Sequence, residues 1–500
     1  MRFMAAMARR IGDFAGQPDP LPVEPRSTRV ATLYWALFGF VLLALLAPIW
    51  IVRDPGMVDY PNHLARCYIL AHYHDSPVWA ERYILVRAPR PNLAMELCVV
   101  PLERIVPLAA SGKIFLSLSA LLFALGCFGI GRYACGKPSW LSLPVAFTFY
   151  NSTLFWGFAN YLFGVGVFLC SFAYWLHIHK RMRLMHLAVC GLLGLACFYA
   201  HLSSFVFFAA ACCLLALGEY WHERKLAPLL RKTAWILVPC GAMFAYMRHG
   251  GQTGRIAWSS ASQKLTQLFG PIRAYHPAFD GLAAAVFLVC FAVLFRRAVR
   301  RPILIVGLAF LLLYFVLPDS AFTGTSADAR FLLPAFVLLA LSIAPRWGRA
   351  QTIALGVLLA VQFIRQAVVL GDWEKISATT EQVIALGDHL PENARIYAVR
   401  PVDQNQPDGK FTRGYIHAIE AWTISHHADI DTFFALAGQQ PLEFRHPRCE
   451  EIAAPSCLAQ YDYVWTYDPP QPTLDSLRNV AIAQSSWNGV VLWRVNRQGR

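Results

Sequence analysis

The chain has 500 residues, of which 57% are hydrophobic and only 15% charged, a balance too apolar for a water-soluble globular protein of this length. Lys and Arg outnumber Asp and Glu by 44 to 30. No basic patch with interleaved aromatics occurs in a soluble segment, so no nucleic acid is expected as a partner, and anionic membrane lipids are the expected partners of the surplus charge.

The apolar residues gather into blocks of roughly 16 to 22, the length a helix needs to cross a hydrocarbon core. They predict an α-helical polytopic membrane protein of about eleven transmembrane helices, near 30–51, 113–131, 139–156, 160–178, 184–200, 203–218, 233–247, 280–295, 302–318, 330–344 and 350–369. The N-terminal segment 1–29, with Pro18, Pro20, Pro22 and Pro25, leads into a first span too long to be a removable signal peptide and lacking a small-residue cleavage site, so that helix is read as a retained anchor. Arg2, Arg9, Arg10, Arg26 and Arg29 precede it, and alternate connections carry Arg132 with Lys137, Lys180 with Arg181 and Arg183, Arg224 with Lys225, Arg231 and Lys232, Arg296 to Arg301, and Arg346 with Arg349. Cations in short connections are held in the cytoplasm during insertion. The N-terminus is therefore expected in the cytoplasm of a bacterial inner-membrane protein, and residues 52–112, 248–279 and 371–500 on the periplasmic side.

Within the loop 52–112, turn-forming residues from Arg53 run into helical periodicity through Tyr68, Leu70 and Tyr73. Between Pro91 and Pro107, apolar residues at helical spacing surround Glu96 and Glu103, predicting a helix along the membrane surface. After the transmembrane module 30–370, Asp372 to His389 reads as an amphipathic helix, Arg395–Val399 and Tyr461–Tyr467 as strands, and Val480–Ile482 with Val490–Val495 as a strand pair around Asn488-Gly489. Residues 371–500 thus predict a small periplasmic α/β domain. Of the thirteen cysteines, most, such as Cys170, Cys190, Cys212 and Cys213, lie in spans and pack as small apolar residues; Cys449 and Cys457 lie outside, where a disulfide or two free thiols are equally open.

Asp59 is the leading candidate for chemistry, because a carboxylate just beyond the first span can deprotonate an acceptor group. Asp54 has the residue type to hold a metal or a substrate hydroxyl. The competing reading gives both acids only the shaping of a turn through side-chain to backbone bonds. His63 and Arg66 follow Asp59 at four and seven residues, one face of a helix. That cluster suits a phosphorylated ligand, or else is a local ion pair. His72, His74 and Asp75 are metal-ligand types at a spacing that matches no strong pattern. Asn151, Asn160 and Tyr161, then His201, then Asp328 with Arg330, mark outer helix ends, and Arg273 and His276 share the 248–279 loop with Lys264. Each alone reads as interfacial structure; together they place cations and amides at one membrane depth, as a lipid phosphate arriving sideways would require. Gly164 and Gly166, like Gly191 and Gly194, read as close helix packing. Asp429-Ile430-Asp431 has the form of an Asp-x-Asp metal motif, but on the wrong side for a nucleotide sugar, and is read as chance.

An inner N-terminus, one helix, a large outer loop with an early acid, a helical bundle and an outer α/β domain together resemble the GT-C superfamily of membrane glycosyltransferases. Asp59-Tyr60-Pro61-Asn62-His63-Leu64-Ala65-Arg66, Tyr150-Asn151 with Trp156-Gly157-Phe158-Ala159-Asn160-Tyr161, and Ala200-His201-Leu202 are similar to stretches in a bacterial group of such proteins. The resemblance implies transfer of a sugar from a polyprenyl-phosphate donor to a lipid or glycan acceptor outside the cytoplasm. On it, Asp59 is the catalytic base or its equivalent, and Arg66, His201, Arg273 and Arg330 are candidate partners of the lipid phosphate; Asp54, His63, Glu96, Asn151, Asn160, Tyr161 and His276, read from residue type and position, are further substrate-binding candidates. A second outer acid in a matching motif is missing, although Glu96 has the residue type to serve, so no cofactor is assigned and a divalent cation stays open. The alternatives are a transporter or flippase of lipid-linked saccharides, for which paired halves and midplane charges would be expected, and a non-catalytic assembly protein.

Overall fold

The computed structural model describes residues 28–249, 256–295, 299–320, 325–399, 411–435, 438–446 and 458–496, so the pairing of Cys449 with Cys457 lies outside the described residues. Thr28–Ile51 forms α1; its twenty-four residues, apolar from Leu33 onward, are long enough to cross a hydrocarbon core. The connection that follows carries α2 (Tyr60–Ala71), α3 (Pro77–Arg82) and α4 (Ala94–Leu102). The bundle continues through α5 (Leu108–Cys135), the short α6 (Ser142–Ala146) and α7 (Ser152–Trp156), then α8 (Ala159–Ile178), α9 (Leu184–Ala200), α10 (Leu202–Glu223), α11 (Leu226–Thr233), α12 (Leu237–His249), α13 (Ala261–Gln267), α14 (Pro277–Leu294), α15 (Arg301–Val316), α16 (Leu332–Leu341) and α17 (Arg349–Ala385). Beyond these lie α18 (Ala421–His426) and α19 (Gln471–Val480).

Among the described residues six helices are long and apolar enough to cross a membrane: α1, α5, α8, α10, α14 and α17. Shorter apolar helices, α9, α15 and α16, fill the bundle between them. The apolar blocks all fall on helices, but the block 139–156 is not one span. It folds as α6, a 3-10 turn at Phe147–Phe149 and α7, because the Asn151 side chain accepts from Thr153 N (2.8 Å) and so starts a new helix. Helices approach closely at small residues: a Cβ on Gly166 would lie 2.9 Å from Leu122 Cβ, and one on Gly194 2.8 Å from the Trp235 ring.

The last long apolar helix continues past its apolar stretch. α17 runs 37 residues without a break, joining the apolar block 350–369 to the amphipathic stretch that follows it. Trp373, Ile376 and Val383 on its outer part are buried, Val383 in a core shared with Ala65, Ile69 and Trp79 of the outer connection and with Ile396, Trp422 and Trp465.

The C-terminal region is a five-stranded sheet of order β3-β2-β5-β7-β6, with β2 at Arg395–Val399, β3 at Asp429–Ile430, β5 at Tyr463–Tyr467, β6 at Ala481–Trp487 and β7 at Val490–Val495. β2 lies parallel to β3 and β5, and β7 antiparallel to β5 and β6. Asn488 (φ 46°) and Gly489 (φ 82°) close the β6–β7 hairpin with the double left-handed turn that suits strand twist. A second pairing, β1 (Tyr83–Leu85) against β4 (Leu442–Phe444), sews the outer connection to the C-terminal region.

Candidate functional site

Asp59 occupies the position before α2, yet its carboxylate makes no capping bond to that helix. Its backbone is fixed from elsewhere. Val58 N donates to Phe155 O (2.9 Å) and Asp59 N to Trp156 O (3.1 Å), so the end of α7 acts as a docking edge. Gly157 follows at φ +96°, and a Cβ there would lie 2.6 Å from Asp59 N. The broken segment is itself pinned inside the bundle: Arg365 of α17 donates through Nη2 to Tyr150 O (2.6 Å), and Tyr150 donates its hydroxyl to Leu45 O (2.7 Å). Asp59 keeps a side chain about one-fifth exposed.

Toward the C-terminal region, Asp59 Oδ1 lies 3.5 Å from Nε2 of His417, on the 3-10 turn Phe411–Glu420. His417 Nδ1 is 2.7 Å from Glu420 Oε1. Asn62, one turn beyond Asp59, is wholly buried and locks this group: Oδ1 accepts from Phe434 N (3.1 Å), while Nδ2 donates to Glu420 Oε1 (2.9 Å) and Thr432 O (3.1 Å). The sequence reading missed His417 and Glu420. Their local signal is a His-x-x-Glu spacing in a short segment whose apolar residues, Phe411, Tyr415, Ile416 and Ile419, recur at helical spacing.

On the next turn of α2, Arg66 donates to Glu96 Oε1 through Nε (2.8 Å) and Nη2, with both side chains buried. Arg66 Nη2 also lies 2.8 Å from His63 Nδ1, and Arg66 Nη1 has no hydrogen-bond partner among the described residues. Burial, with the Arg66 guanidinium and His417 adding to it, holds His63 well below the usual imidazole range. Asn160 extends the network: Oδ1 accepts from Met95 N (2.7 Å), and Nδ2 donates to Asn92 O (2.7 Å). Asn92, at φ 65°, accepts from Leu202 N (2.9 Å), fastening the connection to the turn between α9 and α10.

Beside that turn, Tyr161 donates to Arg330 O (2.7 Å), the Tyr161 and His201 rings meet edge to face at 5.5 Å, and the Arg330 guanidinium lies over the Phe158 ring at 5.7 Å. His201 Nδ1 accepts from Ser203 N (3.2 Å), which leaves the proton of the neutral ring on Nε2. Asp54, His276 and Arg273 belong to another side, around the outer half of α17. Asp54 N donates to Ser377 Oγ (3.1 Å), and burial pushes its carboxyl up against the pull of Arg53. His276 Nε2 is 2.9 Å from Asp372 Oδ2, and Arg273 N donates to Phe269 O (2.8 Å). Tyr275, between them, donates to Gly56 O (2.6 Å) and accepts from Trp373 Nε1 (2.8 Å). Asn151 spends its amide on the α7 cap and on Thr148 O and Phe149 O.

Several acids serve the fold. Asp429 accepts from the Tyr83 hydroxyl (2.9 Å) beside Arg82, and Asp431 accepts from Ala398 N (2.9 Å), which accounts for the Asp-x-Asp pattern without a ligand. His72 bridges Asp75 (2.7 Å) and Glu103 (3.3 Å). Among the described residues no group of three or more His, Cys, Asp or Glu side chains is placed to hold a metal ion.

The connection after α1 and the C-terminal region thus meet at one partly exposed acid, Asp59. No family model and no curated protein matches the sequence. A solved structure does: ArnT from Cupriavidus metallidurans bound to undecaprenyl phosphate, at 11% identity, covering 94% of this chain and 99% of that one, with a TM-score of 0.50. The likeness is one of fold, spanning the bundle and the C-terminal region alike.

Proposed function

We propose that the chain is a membrane glycosyltransferase that moves a sugar from a polyprenyl-phosphate donor to a lipid or glycan acceptor, at the end of the bundle where Asp59 lies. One observation carries the reading: a carboxylate whose helix makes no capping use of it, held by its backbone at a glycine-bounded edge and left partly open. ArnT, the protein of like fold, was crystallised with undecaprenyl phosphate, a lipid of the donor's class. In the reaction the acceptor hydroxyl gives its proton to Asp59, its oxygen bonds to the sugar's anomeric carbon, and the bond from that carbon to the phosphate breaks. The polyprenyl phosphate leaves with the electron pair.

Groups suited to that phosphate are the Arg330 guanidinium and the neutral His201, whose Nε2 is a donor, with the unused Nη1 of Arg66 on α2 and, on the α17 side, Arg273. Asn160, Tyr161, Glu96 and His63 hold these groups in register. In reconstituted membranes supplied with undecaprenyl phosphate carrying radiolabelled sugars, Asp59→Asn is expected to abolish formation of a new glycosidic bond, with yield and thermal stability near wild type. Undiminished transfer by that variant removes Asp59 from the mechanism. Movement of labelled donor between leaflets without bond formation identifies a flippase instead.

A further inference from the structure

The state of His417 follows from the carboxylate that its Nδ1 meets. The Asn62 carbonyl is identified by its bond from Phe434 N, so Nδ2 carries the two amide hydrogens, and Glu420 Oε1 (2.9 Å), Thr432 O (3.1 Å) and His417 Nδ1 (3.1 Å) all lie within its reach. Glu420 is fully buried, and its Oε1 also accepts from Thr432 Oγ1 (3.0 Å). An ionised carboxylate oxygen only accepts, so the contact of 2.7 Å between Glu420 Oε1 and His417 Nδ1, shorter than that from Asn62, is a donation by Nδ1–H. In the neutral ring that leaves the lone pair on Nε2, and Nε2 is the nitrogen turned to Asp59 at 3.5 Å. A lone pair and an ionised carboxylate repel; a proton between them turns the contact into a strong hydrogen bond.

We propose that Asp59, His417 and Glu420 form a proton relay, in which Asp59 passes the proton taken from the acceptor to His417 Nε2 and Glu420 stabilises the resulting imidazolium. This rests on the reading of Asp59 as the base. The bonds balance: the acceptor O–H breaks, a carboxyl O–H forms transiently, then an Nε2–H, and the proton leaves to water once the product departs. His417 touches neither donor nor acceptor and is a positioning residue, supplied by the C-terminal region to an acid on the first outer connection.

The first test needs no sugar. In full-length protein labelled with ¹⁵N-histidine in detergent micelles, the His417 signals are those missing from His417→Gln. Nδ1 is expected at the protonated position and Nε2 between the lone-pair and protonated limits, moving to the lone-pair limit in Asp59→Asn. A Nε2 signal that ignores Asp59→Asn overturns the relay, whatever the reaction. The second test uses transfer from undecaprenyl phosphate carrying a radiolabelled sugar in mixed H₂O and D₂O. His417→Gln and Glu420→Gln are expected to lower kcat by about 10²-fold or more with KM for the donor unchanged. The dependence of rate on deuterium fraction is expected to change from curved, with two protons in flight, to linear. If Asp59→Asn abolishes transfer while His417→Gln keeps the wild-type rate and curvature, the relay falls and the base stands; if Asp59→Asn still transfers sugar, both fall.

Discussion

Gly157 meets two demands that no other residue type meets together, a left-handed backbone and room for the main chain of Asp59. Gly157→Ala is expected to cost about 1–3 kcal/mol, seen as a lowered melting temperature, and to lower transfer because the acid is displaced. Arg66 and Glu96 form a buried pair, so Glu96→Ala leaves a guanidinium buried without its carboxylate; a loss of about 3–5 kcal/mol is expected in denaturation experiments. His63 carries a pH effect. Its folded-state affinity for a proton is depressed, so the stability that its neutral form allows is present above the ordinary imidazole range, near 6.5, and is lost as pH falls toward its lower folded value. Melting temperature should drop on acidification below about pH 6.5, and less so in His63→Gln. Asp59, His63 and Arg66 were legible because helical spacing puts them on one face. His417 and Glu420 were not, because a partnership spanning 355 to 358 residues leaves no periodic trace.

Among elements, the strands Arg395–Val399 and Val490–Val495 were legible because β-branched and aromatic residues sit beside clear turn signals, Asn488-Gly489 foremost. The three-residue strands β1 and β4 were too short to show alternation, so the seam between the outer connection and the C-terminal region could not be read. α17 was read as a span followed by a separate amphipathic helix, because composition changes where the chain leaves the lipid; the backbone, meeting no proline or cap there, simply continues. The broken segment 139–156 was hidden by its apolarity, which is that of an unbroken span. Arg365 holds that segment from within the membrane, where an unpaired carbonyl has no water to turn to. Arg365→Met should lower thermal stability by about 1–3 kcal/mol and reduce transfer, although Arg365 lies on a different element from the acid.

For the molecule as a whole, the cation distribution predicts that the Asp59 end faces the periplasm and that the C-terminal region lies there too. A fluorescent protein that matures only in the cytoplasm should stay dark when fused after residue 496 and glow when inserted beside Lys180. The reverse pattern would place the site in the cytosol and remove its access to a periplasmic acceptor.

The seam of β1 with β4 and the bond from Asn62 to Glu420 join chain stretches made far apart in time. At about 5–20 residues per second, a ribosome that has just released Asn62 works for roughly 20 to 70 s more before Glu420 emerges. Throughout that interval the nascent chain carries its acid without the histidine that completes it, and prematurely terminated products inherit the same incompleteness. The stretch from Phe411 to Phe444 thus governs whether the connection after α1 is ever finished.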